Sequence, residues 1–174
     1  MNIQDIMRLS HVKRWHIVHT TREQSVAEHT FNVTMIAREI ATRMDWTDLI
    51  PEVTTMALHH DTHEAILGDI PTPTKKRLAG MGVGAQVDKL QREHDHITPE
   101  DADVGELAEI IVGIADLMEA MWFLNNHAMG RHADVVSDKI RDIFHSRMEE
   151  MLPVGLRPII HGVLNDLEDG DFVI

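Results

Sequence analysis

Four polar residues fall where helical periodicity predicts apolar helix faces: His29, the pair His60-Asp61, and Asp116. Two imidazoles and two carboxylates make a nitrogen-and-oxygen donor set. Such a set suits one divalent ion: Mn2+, Fe2+, Co2+, Zn2+ or, less well, Mg2+. Each residue also has a plainer account. A lone histidine on an apolar stripe is more often a satisfied core residue than a ligand. Asp116, inside an apolar helix, requires a buried salt bridge, a hydrogen-bonded cap or a metal, because an unpartnered buried carboxylate is costly. His60 and Asp61 differ by about 100° around a helix, yet side chains of different length can still grip one ion beside it. The combination is what shifts the balance toward a metal. The chain has 13 histidines and no cysteine, which excludes disulfides and thiolate sites.

These residues need helices to position them. Ser25-Val26-Ala27-Glu28 has the S-x-x-E form of a capping box. It predicts a helix with Val26, His29, Val33, Ile36 and Ile40 on its buried face. A second helix is predicted from about Asp48, with Pro51 in its first turn, through His60 to about Leu67. Gly68 to Pro73 should then form an extended loop, since proline cannot continue a helix. A long helix is predicted from Thr98-Pro99-Glu100-Asp101 to about Leu124. It is apolar on two sides, so it should run through the centre with Asp116 in its middle. Residues 2–9 read as a short amphipathic helix with Ile3, Ile6, Met7 and Leu9 on one side. Residues 10–24 read as irregular, 80–84 as flexible, and 85–97, 131–151 and 156–167 as helices. No alternation bounded by hairpin turns and no repeat is present. The expectation is an all-α fold, one compact helical domain over residues 1–174 with the metal site between its central helices.

Composition agrees with this reading. Met numbers 11, Tyr is absent and aromatics make up 4%, which favours helix packing over strands. A formal charge of −13 from 29 acidic and 16 basic residues disfavours binding to nucleic-acid polymers. A small anionic substrate is still admissible if the basic residues gather at one place. The most apolar stretch, Ala108 to Leu124, is broken by Glu109, Asp116 and Glu119. A transmembrane helix is therefore not expected, nor is a secretory signal at the N-terminus. The absence of cysteine fits a reducing cytoplasm.

The order of motifs is more specific than the donor set alone. His29, then His60-Asp61, then Asp116 resembles the H…HD…D pattern of the HD-domain phosphohydrolase superfamily. Arg14-Trp15, Ser25 to His29, His60-Asp61-Thr62-His63-Glu64 and Gly68-Asp69-Ile70-Pro71-Thr72-Pro73 together resemble one branch of it. That branch contains the YfbR-type 5'-deoxynucleotidases and the phage DatZ-type dATP triphosphohydrolases. The resemblance covers roughly residues 10–120. It implies one divalent ion on His29, His60, Asp61 and Asp116, a deoxynucleotide substrate and a homo-oligomer. Glu64 would orient or deprotonate the attacking water, and Asp69 would assist as acid for the leaving oxygen. Arg14 would grip phosphate bidentately, with Lys75, and Lys76 or Arg77, adding charge. Trp15, Ile17 and Pro73 would enclose an adenine edge. Taken singly, Glu64 could be a surface carboxylate, Trp15 a core anchor, and Lys75-Lys76-Arg77 a solvated cluster.

The readings within this family share water attack at a 5'-phosphate and differ in the phosphate tail. The compact intervals between the motif residues and the three cations at 75–77 favour a triphosphohydrolase over a nucleotidase. A non-catalytic metal- or nucleotide-binding module is the alternative of a different class. The intact Glu64 and Asp69 argue against it.

Overall fold

The computed structural model describes residues 2–94 and 102–169. The chain opens with helix α1 (Ile3–Met7), capped by Asn2 and continued by a 3-10 turn, Arg8–Ser10. Helix α2 (Val26–Arg43) starts at Ser25, whose Oγ accepts from the Glu28 backbone N–H at 3.1 Å. Only that half of the capping box forms, because the Glu28 carboxylate pairs with Arg22 instead, at 2.6 Å. Helix α3 (Ile50–His59) and the short α4 (Glu64–Leu67) follow. Next come α5 (Thr72–Gly80), α6 (Gly84–His94), α7 (Ala102–His127), α8 (Arg131–Met151) and α9 (Arg157–Asp169). Among the described residues there is no strand, only isolated bridges between Lys13 and Ser25 and between Thr20 and Ala128. The all-α expectation holds.

The core is built where α2, α3 and α7 meet. Val33, Ile36, Ala37 and Ile40 of α2 cluster with Val53 and Ala57 of α3 and with Ile111, Ile114, Ala115 and Met118 of α7. Phe144 and Met148 of α8 and Ile160 and Val163 of α9 close it from the far side. Each large side chain buried there contributes roughly 1.5–3 kcal/mol. That packing makes α2 and α7 rigid supports for whatever projects from their other edges.

Several predicted elements differ. The helix expected to reach Leu67 stops at His59. Thr62 N–H bonds the His59 carbonyl at 3.0 Å, and the Thr62 hydroxyl bonds the same oxygen at 2.9 Å. Glu64 N–H bonds the Asp61 carbonyl at 3.0 Å, so the chain tightens into three-residue turns here. The loop expected through Pro73 is shorter than predicted. Pro71 caps α5 and Pro73 sits in its first turn, where a missing N–H is harmless. Ile3 and Met7 of α1 are exposed; Leu9 is the buried one, packed with Val26 and Ala65. The predicted helix start at Thr98–Asp101 and the last part of the helix predicted over 85–97 lie outside the described residues.

The stretch read as irregular is pinned at both ends. Arg14 N–H bonds the Gln24 carbonyl and Val26 N–H the Val12 carbonyl, both at 2.9 Å. Thr21 N–H bonds the His127 carbonyl at 2.8 Å, and Met129 N–H bonds that of His19 at 2.9 Å. Residues 12–25 are thereby strapped across the start of α2 and the end of α7.

Candidate metal centre and active site

His29 is fully buried on α2 and turns its Nε2 toward Asp116 Oδ1 at 3.1 Å and Asp61 Oδ2 at 3.6 Å. His60 Nε2 lies 3.4 Å from His29 Nε2 and 3.3 Å from Asp61 Oδ2. The outer nitrogens of both rings are occupied. His60 Nδ1 donates to the Ala57 carbonyl at 2.7 Å, and His29 Nδ1 donates to Glu119 Oε2 at 2.6 Å. Each ring thus presents its Nε2 to the shared space, the arrangement by which metal-ligating histidines are held. The donor atoms of His29, His60 and Asp116 lie within 4.8 Å of one another. This donor set, with Asp61 beside it, fits one divalent ion.

The electrostatics fit the same conclusion. Burial and the Arg14 charge push His29 down, but hydrogen bonds to Asp116 and Glu119 outweigh them and lift it to about 9. Burial would raise Asp116 and Asp61, yet His29, His60 and Arg14 hold both below the usual carboxylate range. Asp116 is less enclosed than a residue in mid-helix suggests: its side chain is 38% exposed. Arg14 stands over the cluster, with its guanidinium 3.4 Å from Asp61 and 3.8 Å from Asp116.

Glu64 is buried, and its Oε2 has no hydrogen-bond partner. Burial, then the charges of Asp61 and Asp69, push it up to about 8, with Arg14 and Lys75 pulling the other way. Because α3 ends early, Glu64 belongs to the first turn of α4 and not to the helix of His60. Asp69 follows Gly68, whose φ of 71° turns the chain out of α4. Asp69 lies 3.9 Å from His16 Nδ1. Lys75 is half-buried on α5, while Lys76 and Arg77 are exposed. Trp15 is half-buried and stacks on Phe123, with ring centroids 6.1 Å apart and planes inclined by 3°. Ile17 is half-exposed, and Pro73 lies exposed in the first turn of α5.

Sequence reasoning passed over Glu119 and Gln24. Both are buried, and Glu119 accepts from His29, from Gln24 Nε2 at 2.5 Å and from Asn32 Nδ2 at 3.1 Å. Glu119 registered only as an interruption of an apolar stretch. Its signal was its spacing, three residues after Asp116 and so on the same helix face. Gln24 carried no such signal.

Two inward-facing imidazoles, two carboxylates from separate elements and an arginine over them, in an all-helical protein, fit a metal-dependent hydrolase acting on an anionic substrate. The comparisons narrow it. The model of the "5'-deoxynucleotidase YfbR-like" family matches residues 3–89. A dATP triphosphohydrolase of Salmonella phage PMBT28 is 35% identical over 162 residues, 88% of this chain and 81% of that protein. One from Acinetobacter phage SH-Ab 15497 is 31% identical over 187 residues, 97% of this chain and 92% of that protein. Among solved structures, the cyanophage S-2L HD phosphohydrolase DatZ, bound to dA and one catalytic Zn2+ ion, superposes with a TM-score of 0.75. It is 26% identical and covers 97% of this chain and 98% of its own. The chain belongs to the YfbR-like family and is an HD-domain phosphohydrolase.

Proposed function

We propose that this enzyme hydrolyses deoxynucleoside triphosphates, dATP foremost, at the α-phosphorus, releasing the deoxynucleoside and triphosphate. The observation that carries this is one juxtaposition. Arg14 and the His29, His60, Asp61 and Asp116 donors converge beside the buried Glu64, in a chain similar over most of its length to phage dATP triphosphohydrolases.

In this reading His29, His60, Asp61 and Asp116 hold one divalent ion. Zn2+, Co2+ or Mn2+ suits imidazole and carboxylate donors better than Mg2+. When bound, the ion supplies Lewis-acid polarisation of phosphate and water at neutral pH. Arg14 holds an α-phosphate oxygen. Glu64 takes the proton of the attacking water, a role suited by its burial beside Asp61 with an Oε2 that no protein donor occupies. Asp69 donates a proton to the departing 5'-oxygen. Lys75, with Lys76 and Arg77 near it on α5, takes the β- and γ-phosphates. Trp15, Ile17 and Pro73 border the base. The second reading, a 5'-deoxynucleotidase acting on monophosphates, is favoured by the family model that matches the N-terminal half.

Homo-oligomerisation through the outer faces of α2 and α3 completes the proposal. Phe31 and Met35 are exposed one turn apart on α2. Leu58, also exposed, is one turn past Thr54, whose hydroxyl accepts from Arg38 of that same α2 flank. A cytoplasmic workplace fits the cysteine-free sequence, and no helix of the described residues is long and apolar enough to cross a membrane.

The test is product analysis with Co2+- or Mn2+-loaded protein, offered dATP and dAMP separately. Triphosphate from dATP with little turnover of dAMP supports the proposal. Inorganic phosphate from dAMP with dATP untouched replaces it by the nucleotidase. No product from either, with metal bound, overturns both for adenine deoxynucleotides.

A further inference from the structure

One residue outside the proposed ligands and substrate contacts touches both groups. Gln24 is 1% exposed, at the end of the strap formed by residues 12–25. Its backbone carbonyl accepts from Arg14 N–H, and its side-chain Oε1 accepts from Trp15 Nε1–H, both at 2.9 Å. Its Nε2 donates to Glu119 Oε1 at 2.5 Å, and the other oxygen of Glu119 accepts from His29 Nδ1 at 2.6 Å. A continuous line of hydrogen bonds therefore runs from the half-buried indole of Trp15 to the imidazole of His29, buried from Gln24 onward.

The polarity of this line is fixed by chemistry. An indole N–H can only donate and an ionised carboxylate can only accept. Gln24 must therefore point its oxygen at Trp15 and its NH2 at Glu119, and the flipped amide would oppose like groups at both ends. Trp15 needs such restraint. Its φ is 61°, a left-handed conformation that bulky residues rarely adopt. The ring is held from above by Arg14, 5.5 Å from its centroid, and by stacking on Phe123 of α7. Asp116, Glu119 and Phe123 stand at i, i+3 and i+7 of that helix, one face. A single stripe of α7 thus carries a proposed metal ligand, the carboxylate that orients another, and the platform under the proposed substrate wall.

We propose that Gln24 is a positioning residue that locks the Arg14–Trp15 arm to the metal ligand His29 through Glu119, so that the metal and the substrate wall are seated together. This rests on the reading of His29, His60, Asp61 and Asp116 as ligands. It adds that a change at Trp15 is felt at the metal, which no direct contact would cause.

The experiment measures Zn2+ affinity of chelator-treated protein by competition with a chromophoric chelator, with circular dichroism to verify folding. Outer partners of metal-bound histidine typically contribute about 10–100-fold in affinity. Glu119→Gln sets that scale here. Gln24→Met, which keeps the length and removes both side-chain hydrogen bonds, is expected to weaken Zn2+ binding by about threefold or more. Trp15→Phe, which removes the N–H and keeps an aromatic ring, is expected to weaken it by about two- to fivefold. That loss should vanish in the Gln24→Met background, since coupled residues are non-additive. Zn2+ affinity of Trp15→Phe equal to wild type overturns the proposal, and this variant decides alone if Gln24→Met does not fold. Failure of the wild-type protein to bind Zn2+ overturns the metal reading beneath it and is seen separately.

Discussion

Replacing Glu119 tests whether the buried carboxylate organises the site or merely occupies it. Glu119 is fully buried and serves three donors: His29 Nδ1, Gln24 Nε2 and Asn32 Nδ2. Glu119→Leu roughly preserves volume and removes every acceptor. Asn32 is only half-buried and can turn to water, whereas Gln24 and His29 are 1% and 0% exposed and cannot. A buried donor left unpaired costs about 1–3 kcal/mol, more when charged. Against this stands the relief of no longer burying a carboxylate, which is incomplete because its partners outweigh its burial and keep it below the usual range. The net loss is about 3–5 kcal/mol, the size found when one member of a buried charge pair is removed. Glu119→Gln keeps one oxygen, but in either orientation its NH2 faces a donor, and about 2–3 kcal/mol is lost. Urea unfolding followed by far-UV circular dichroism, with chelator present, measures both. A Leu variant within about 1 kcal/mol of wild type, or no gap between Leu and Gln, refutes the reasoning, because it means the donors have other acceptors.

Glu64→Gln is expected to lower turnover by about 10²–10⁴-fold and yet stabilise the fold by about 1–3 kcal/mol, since a buried carboxylate held at about 8 opposes folding at neutral pH. Steady-state rates and denaturant midpoints check the two halves, and loss of stability would refute the second. The chelator-treated protein is expected to lose stability as pH rises from about 5 to 9. Folding raises His29 from 6.5 to about 9, where hydrogen bonds to Asp116 and Glu119 overcome burial and Arg14, and raises Glu64 from 4.5 to about 8 by burial and its acidic neighbours. Each contribution is therefore complete below the unfolded value and lost through the folded one; a Tm flat or rising between pH 7 and 9 refutes this. Gly113→Ala is expected to stabilise by about 0.5–1 kcal/mol through helix propensity, because the new Cβ meets only the movable tip of Arg147, Nη1 at 2.8 Å. A fall in Tm would show that this guanidinium is not free to move.

What could be read from the sequence was what the sequence made anomalous. His29 and Asp116 stood out because their chemistry contradicts the apolar stripes around them, and the structure brings both together with His60, Asp61 and Arg14. Gln24 and Asn32 contradicted nothing: a polar residue just before a helix or on its flank is ordinary, and its burial is decided by segments far away in sequence. Gln24 is sealed by α7, from which its partner Glu119 comes. Periodicity likewise identifies a face without saying whether anything covers it. Ile3 and Met7 of α1 share a face and remain 71% and 66% exposed. The prolines at 71 and 73 predict a stop and in fact form a start, since proline ends one helix and opens the next with equal ease.

The break after His59 shows why a local departure from helical regularity belongs to the site. In a continuous helix His60 and Asp61 would diverge by about 100°. The Thr62 hydroxyl competes for the His59 carbonyl at 2.9 Å, and the backbone tightens to three-residue spacing at Asp61–Glu64. His60 Nε2 and Asp61 Oδ2 then come within 3.3 Å of each other. Glu64 is carried into the interior on α4, anchored by Ala65 packing on Leu9 and Val26. The lost helical bonds are a local cost offset by the core that α2, α3 and α7 form beyond the break. Thr62 accordingly does more at this site than its plain character in the sequence suggests: its hydroxyl and its N–H both take the His59 carbonyl where the helix ends.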